Sequence, residues 1–209
     1  MKTGIVFHEL YLWHDTGNHA DYVPYGFPVE PFKHSENPDA KRRIKNLMEV
    51  SGLYEKLFQI TPRKATKDEI LLFHTDDHFE NMKSLNDSIT IDAGITTPTG
   101  IGSFDIALLS AGGVIEAIDH VIDEKVNNAY ALVRPPGHHA MPNKAMGFCI
   151  FGNAAIAGKH ALKNKDLHKI AFIDWDVHHG NGTQAAFYSD SDALTISIHQ
   201  DRNFPTNSG

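Results

Sequence analysis

The sequence predicts an α/β domain built on a mostly parallel sheet, and three observations lead there. Short apolar runs that read as strands, at residues 4–7, 129–133, 170–173 and 194–198, alternate with longer segments of helical periodicity. The run at 170–173 is apolar throughout, as expected of a strand buried on both faces. The two most unusual polar stretches each follow one of these runs, and in such sheets ligands bind beyond the carboxyl ends of strands.

After the first strand, residues 9–34 read as a polar, aromatic loop in which Pro24, Pro28 and Pro31 block regular structure. A loop this long is usually functional or disordered. Tyr11, Trp13, Tyr22, Tyr25 and Phe27 either line a substrate mouth or pack the loop on itself. Asn37-Pro38 is a cap-and-first-turn pair opening a helix with Ile44, Leu47 and Met48 on one side. Its basic residues Lys41, Arg42, Arg43 and Lys45 read as a solvated face. Thr66 and Glu69 have capping-box spacing before an apolar run, and a short helix starts near Asp76. Residues 90–102, rich in Gly, Thr and Pro, form a loop. Ser103 then caps a long helix to about Ile122, apolar at Ala107, Leu108, Ala111, Val114, Ile115 and Ile118. Gly112-Gly113 within it predicts close packing against a neighbour. A strand at 129–133, a helix at 153–162 and strands at 170–173 and 194–198 complete the pattern, with no internal repeat.

At 209 residues the chain can bury a substantial core as one domain or part of one. No apolar run approaches the ~18 residues of a membrane helix, and the amino-terminal run is too short for a signal peptide. One cysteine, Cys149, excludes an internal disulfide framework and fits a reducing, cytoplasmic setting. A net charge of −7 argues against direct nucleic-acid binding and is compatible with a cationic substrate. Nothing here opposes a homo-oligomer. Fourteen histidines favour metal or proton chemistry without locating it.

Two motifs locate it. In Asp174-Trp-Asp176-Val-His178, an extended backbone would point the two carboxylates and the imidazole the same way. Oxygen and imidazole donors of this kind suit zinc or another divalent ion. Gly180 and Gly182 permit a sharp turn; the alternative is a polar turn capping a helix at Asn181. Upstream, Arg134-Pro-Pro-Gly-His138-His139 sets two imidazoles after a stiffened approach, suited to acid–base work near neutral pH or, alternatively, ordinary loop residues. Gly147-Phe148-Cys149 then places an aromatic ring nearby in sequence.

Together with Ser197-x-His199, Phe204-Pro205, Trp13-His-Asp-Thr-Gly17 and Asn37-Pro38 through Lys41-Arg42-Arg43, these motifs resemble the zinc-dependent histone deacetylase and acetylpolyamine amidohydrolase superfamily, most nearly its bacterial class II-type amidohydrolases. The resemblance implies a three-layer arginase/deacetylase-like fold and hydrolysis of acylated lysine side chains or acetylpolyamines. It assigns Asp176 and His178 to zinc and His138 and His139 to a catalytic pair, with Asp174 and Asn181 as their respective partners. Gly147, Phe148 and Phe204 would line the acyl-lysine tunnel, and Asp92 would match a rim residue. Asp174, Ser197 and the Ile198 carbonyl, with Asp176 and His178, would match a structural monovalent-cation site, usually potassium.

The sequence departs from that pattern in one respect. The family's third zinc ligand lies in a Gly-Phe-Asp-like motif and its catalytic Tyr in a Gly-Gly-Tyr motif, and neither occurs in these 209 residues. The expectation is an amino-terminal portion of a longer deacetylase domain, inactive by itself. Two alternatives stay open. An arginase-like ureohydrolase would bind two manganese ions, and a catalytically inactive module would only bind acyl-lysine.

Overall fold

The computed structural model describes residues 1–18, 30, 32–89, 91–165 and 167–209. Pro24, Pro28 and Pro31, and the aromatics Tyr22, Tyr25 and Phe27 expected at a substrate mouth, lie outside the described residues. The chain enters as β1 (Thr3–Val6), then a 3-10 turn (Glu9–Trp13) capped where the His8 ring accepts from the Leu10 N–H. Helix α1 (Asp39–Val50) follows, opened by Asn37, whose Oδ1 accepts from the Asp39 N–H at 2.9 Å. Next come β2 (Phe58–Ile60), α2 (Lys67–Ile70), α3 (Asp76–Ser84), the short strands β3 (Ile91–Asp92), β4 (Gly94–Ile95) and β5 (Pro98–Thr99), and the long helix α4 (Ser103–Ile122). The remainder is β6 (Asn128–Ala131), β7 (Ala145–Met146), α5 (Asn153–Asn164), β8 (Ile170–Asp174), α6 (Asn181–Phe187) and β9 (Ala193–Ser197).

Strands β2, β1 and β6 form one parallel sheet with β1 central, and β8 and β9 form a second parallel pair in which Asp174 stands opposite Ser197. Helices α4 and α5 pack together over a core that includes Phe79, Phe104, Ile115, Phe151 and Ile156. The two sheets are not hydrogen-bonded to each other among the described residues. A cleft of about 610 Å³, lined by Val133, Pro136 and Ile173 among others, opens where the end of the first sheet faces β8.

The capping box at α2 is present with both reciprocal hydrogen bonds. At α4 the expected cap moves by one residue. Gly102 takes the N-cap position at φ +79°, while the Ser103 hydroxyl accepts from the Gly100 N–H and bonds the His14 ring. On α1 only Met48 of the expected apolar side is buried, against Ile5 and Leu132; Ile44 and Leu47 are exposed. Nor is the basic face uniformly solvated. Lys45 pairs with Glu49 at 2.5 Å while its chain lies over Phe7 and Tyr54, and Lys41 turns toward Glu36.

The run at 170–173 is not buried on both faces. Phe172 stacks on Phe187 at 4.6 Å, but Ile173 is 58 % exposed and Leu194 of β9 is 57 % exposed. Among the described residues no element covers that side, so a uniformly apolar strand keeps one open apolar face.

Gly112 fulfils its expectation of close packing. A Cβ there would stand 2.0 Å from the Arg63 carbonyl oxygen, in a segment tied to α4 by the Ala65 N–H to the Leu108 carbonyl. Alanine is the better helix former by ~1 kcal/mol, yet overpacking against rigid backbone costs ~1–3 kcal/mol or more. Gly112→Ala is therefore expected to lower the urea midpoint; a midpoint raised by the helix-propensity gain would refute the close approach.

Candidate active site

Loops leaving the two sheets meet at one place. After β6 the chain passes through Arg134-Pro135-Pro136-Gly137 to His138 and His139, and after β8 it passes through Asp176 and His178 into α6. Backbone joins them first, because the N–H groups of Gly182 and Thr183 donate to the His138 carbonyl at 2.8 and 3.3 Å. Side chains complete the junction. The His138 ring donates through Nδ1 to Asp174 Oδ2 at 2.8 Å, and the His139 ring donates through Nδ1 to Asn181 Oδ1 at 2.8 Å. A carboxylate only accepts, and the Asn181 amide nitrogen is engaged by the His139 carbonyl, which sets both tautomers. Asn181 does not cap α6: Gly180 takes the N-cap position without a side-chain bond, and Asn181, the first residue of the helix, spends its side chain on His139.

The ligand-type residues converge by a different route from strand alternation. Strand β8 ends at Asp174, and the next turns are held by side chains. The Asp176 N–H donates to Asp174 Oδ1 at 3.1 Å, and the His178 N–H donates to Asp176 Oδ1 at 2.8 Å. This winding brings His178 Nδ1 to 3.1 Å from Asp176 Oδ1. Two donors on one tetrahedral zinc at ~2.0–2.2 Å stand about 3.3–3.6 Å apart, so this pair fits the ion with little movement. No group of three His, Cys, Asp or Glu side chains able to hold a metal occurs among the described residues. Beside the pair, Ser197 lies opposite Asp174 in the β8–β9 register, with its hydroxyl 2.8 Å from His199 Nδ1, and the Ile198 N–H donates to the Asp174 carbonyl. Carboxylate, hydroxyl and main-chain oxygens are the donors a hard monovalent cation takes.

These groups open into a cavity of about 250 Å³. Its wall includes His138, His139, Asp176 and His178, the rings of Phe148 and Phe204, and Gly147. The Phe204 ring meets His139 edge-on at 4.9 Å. Gly147, at φ +54°, is required here, because a Cβ would stand 2.4 Å from the His139 ring. Another part of the wall was not foreseen. Ser35, Glu36, Asn37 and Lys41 line the cavity from about a hundred residues upstream, in a stretch that carried the family resemblance from Asn37 on but no site role. Asp92 is not part of this lining; its exposed carboxylate closes a turn by accepting from the Gly94 and Thr97 N–H groups.

Burial pushes His139 down to about 4, reinforced by the neighbouring His138 and only partly offset by the bond to Asn181. Burial alone would raise Asp174, but the hydrogen bonds from His138 and the Asp176 N–H outweigh it and hold the carboxyl below its ordinary value. Cys149, fully buried, is pushed up to about 12 by desolvation, and its neutral thiol donates to the Gly147 carbonyl at 3.3 Å.

The chain as a whole is similar to a known group of proteins. A histone deacetylase-like amidohydrolase of Pseudomonas aeruginosa is 45 % identical over 207 residues, covering 98 % of this chain and 54 % of the relative. A probable deacetylase of Archaeoglobus fulgidus is 38 % identical, covering 98 % of this chain and 53 % of the relative. Among solved structures, the HDA15 HD domain superposes with a TM-score of 0.82 at 33 % identity, covering 95 % of this chain and 54 % of that one. The chain therefore spans about half the length of these relatives, and it shares the arginase/deacetylase fold, α/β with a mostly parallel sheet. Residues 34–209 match the family model of the histone deacetylase domain, and the chain belongs to that family.

Proposed function

We propose that residues 1–209 supply the amino-terminal part of a zinc-dependent amidohydrolase that removes acetyl or other short acyl groups from lysine side chains or polyamines, acting in the cytoplasm. The observation that carries this reading is the unequal histidine pair: one imidazole on a carboxylate, the other on a neutral amide, both facing one cavity with Asp176 and His178. Asp176 and His178 would hold zinc, and bound zinc would polarise the scissile carbonyl and make a water nucleophilic near neutral pH. Asp174, Ser197 and Ile198 would hold potassium beside it. Phe148 and Phe204 would enclose the apolar stem of the acylated chain, leaving Asp92 as a candidate contact outside the tunnel.

His139 is assigned the proton transfers. Its Nδ1–H is committed to Asn181, so the lone pair of Nε2 is the free acceptor, and burial keeps the ring neutral above pH ~4. The same nitrogen can then deliver the proton to the departing amine. His138, bonded to the anionic Asp174, contributes electrostatically. His139→Ala is expected to cost on the order of 10²–10⁴ in kcat, and His138→Ala less. The check is kcat for each variant on an acetyl-lysine peptide at equal zinc content, and equal losses or the reverse order would refute the division of roles. Because two protein ligands are fewer than the three usual in catalytic zinc sites, residues 1–209 alone are expected to turn over no such peptide when supplied with zinc. Turnover equal to that of a longer form would sink that expectation.

A further inference from the structure

Arg134 is a fully buried side chain, at 0 % exposure, and the proposed chemistry does not use it. It sits four residues before His138, and its whole guanidinium is spent on two distant stretches of chain. Nε donates to both carboxylate oxygens of Glu36 at 2.9 and 2.8 Å, Nη2 donates to the Glu36 carbonyl at 2.9 Å, and Nη1 donates to the Tyr11 and His14 carbonyls. An ion pair buried this deeply is poor evidence for stability, because desolvating both charges offsets their attraction. Its value lies in where it puts Glu36. The Glu36 N–H donates to His34 Nδ1 at 3.1 Å, and the buried His34 ring meets the Phe148 ring edge-on at 4.8 Å and 81°. Phe148 holds a left-handed backbone at φ +68°, a conformation a bulky residue keeps only where its surroundings enforce it.

We infer that Arg134, Glu36 and His34 form a positioning relay that sets the Phe148 wall of the cavity, and so governs how tightly the apolar stem of the substrate is held. This rests on the reading of Phe148 as a tunnel residue. The relay touches neither the reacting atoms nor the metal ligands. His138 and His139 have their own partners in Asp174 and Asn181, so loosening the relay leaves the reacting groups in place. The effect falls on KM. A lysine at position 134 would keep the charge but lose the planar fork that spans Glu36 and the two carbonyls.

The test uses the longer, zinc-loaded enzyme to which residues 1–209 are proposed to belong, with His34→Ala, Arg134→Lys and the double variant. Each single change is expected to raise KM for an acetyl-lysine peptide about tenfold with kcat held within about twofold. The double variant should raise KM little further, because both changes cut one chain of contacts. Multiplying effects would overturn the relay. So would a fall in kcat at unchanged KM, the signature of a smaller folded fraction. Amide exchange provides a readout that needs no turnover. The Phe148 N–H, bonded to the Thr96 carbonyl at 3.0 Å, should exchange at least tenfold faster in both single variants, while exchange in the middle of α4 is unchanged. If the longer enzyme hydrolyses no acyl-lysine or acetylpolyamine substrate, the proposed function fails, and exchange at Phe148 still decides the relay. Unchanged exchange there overturns it.

Discussion

Asp176→Ala is expected to leave a folded protein that no longer retains zinc and hydrolyses acyl-lysine peptides on the order of a thousandfold more slowly, or worse. Asp176 is exposed and adds little to the core, so folding should survive the change. The loss is local and double. One of two converging ligand-type side chains disappears, and Oδ1 no longer accepts the His178 N–H that winds the second one into place. Asp176→Asn separates these contributions, because the amide oxygen can still accept that N–H while the anionic donor is gone. Metal content measured after dialysis decides the matter, since an alanine variant that keeps stoichiometric zinc would remove Asp176 from the ligand set.

The second large effect is acid lability. His74 is buried with Nδ1–H donating to the Met141 carbonyl and Nε2 accepting the Gly152 N–H, so both nitrogens are committed to the neutral ring. Burial, with His78 beside it, pushes His74 down to about 3, and burial pushes His139 down to about 4. Buried His14, near Arg134, is also held well below its ordinary value. In the unfolded chain each ring titrates near 6.5, so above that pH neither state binds the proton and their contribution is complete. As pH falls below 6.5 the unfolded chain takes up protons that the folded rings refuse. Stability is then lost at ~1.4 kcal/mol per pH unit for each ring. For His74 and His139 together this amounts to about 3 kcal/mol between pH 6.5 and 5. Urea midpoints across that range should drop steeply, and His74→Gln should flatten the slope by about one ring's share. A flat wild-type profile would contradict the burial of these histidines as neutral groups.

Where the sequence was legible, one local rule governed the outcome. The Thr66–Glu69 box, the span of α4 and the strands at 170 and 194 follow from capping chemistry and periodicity, whereas the Ser103 cap of α4 gives way to a bond with His14. Strand β2 was not anticipated, because Phe58–Ile60 is three residues long and gains its identity only from pairing with β1. The motif residues His138, His139, Asp174, Asp176, His178 and Asn181 come together as the family resemblance implied, while the extended strand that spacing suggested for Asp174, Asp176 and His178 is replaced by turns held by side chains. The cavity wall from Ser35 to Lys41 gave no local sign of its role. Glu36 and Lys41 look like ordinary surface charges until a guanidinium 98 residues away turns the carboxylate inward.

The split between the two sheets has a consequence for the lifetime of activity. The histidine loop is anchored to one sheet and the ligand-type residues to the other, and the bonds that define the site run beside an apolar seam in which Phe187 of α6 and Phe172 of β8 pack into the core shared with α5. Strands β8 and β9 with α6 are therefore coupled to the α4–α5 core, and a shift large enough to part the site also uncovers Phe172 and Phe187. Under heat or denaturant, the catalytic arrangement should be lost together with the packing of α5 against α6, and inactivation keeps step with unfolding of that core.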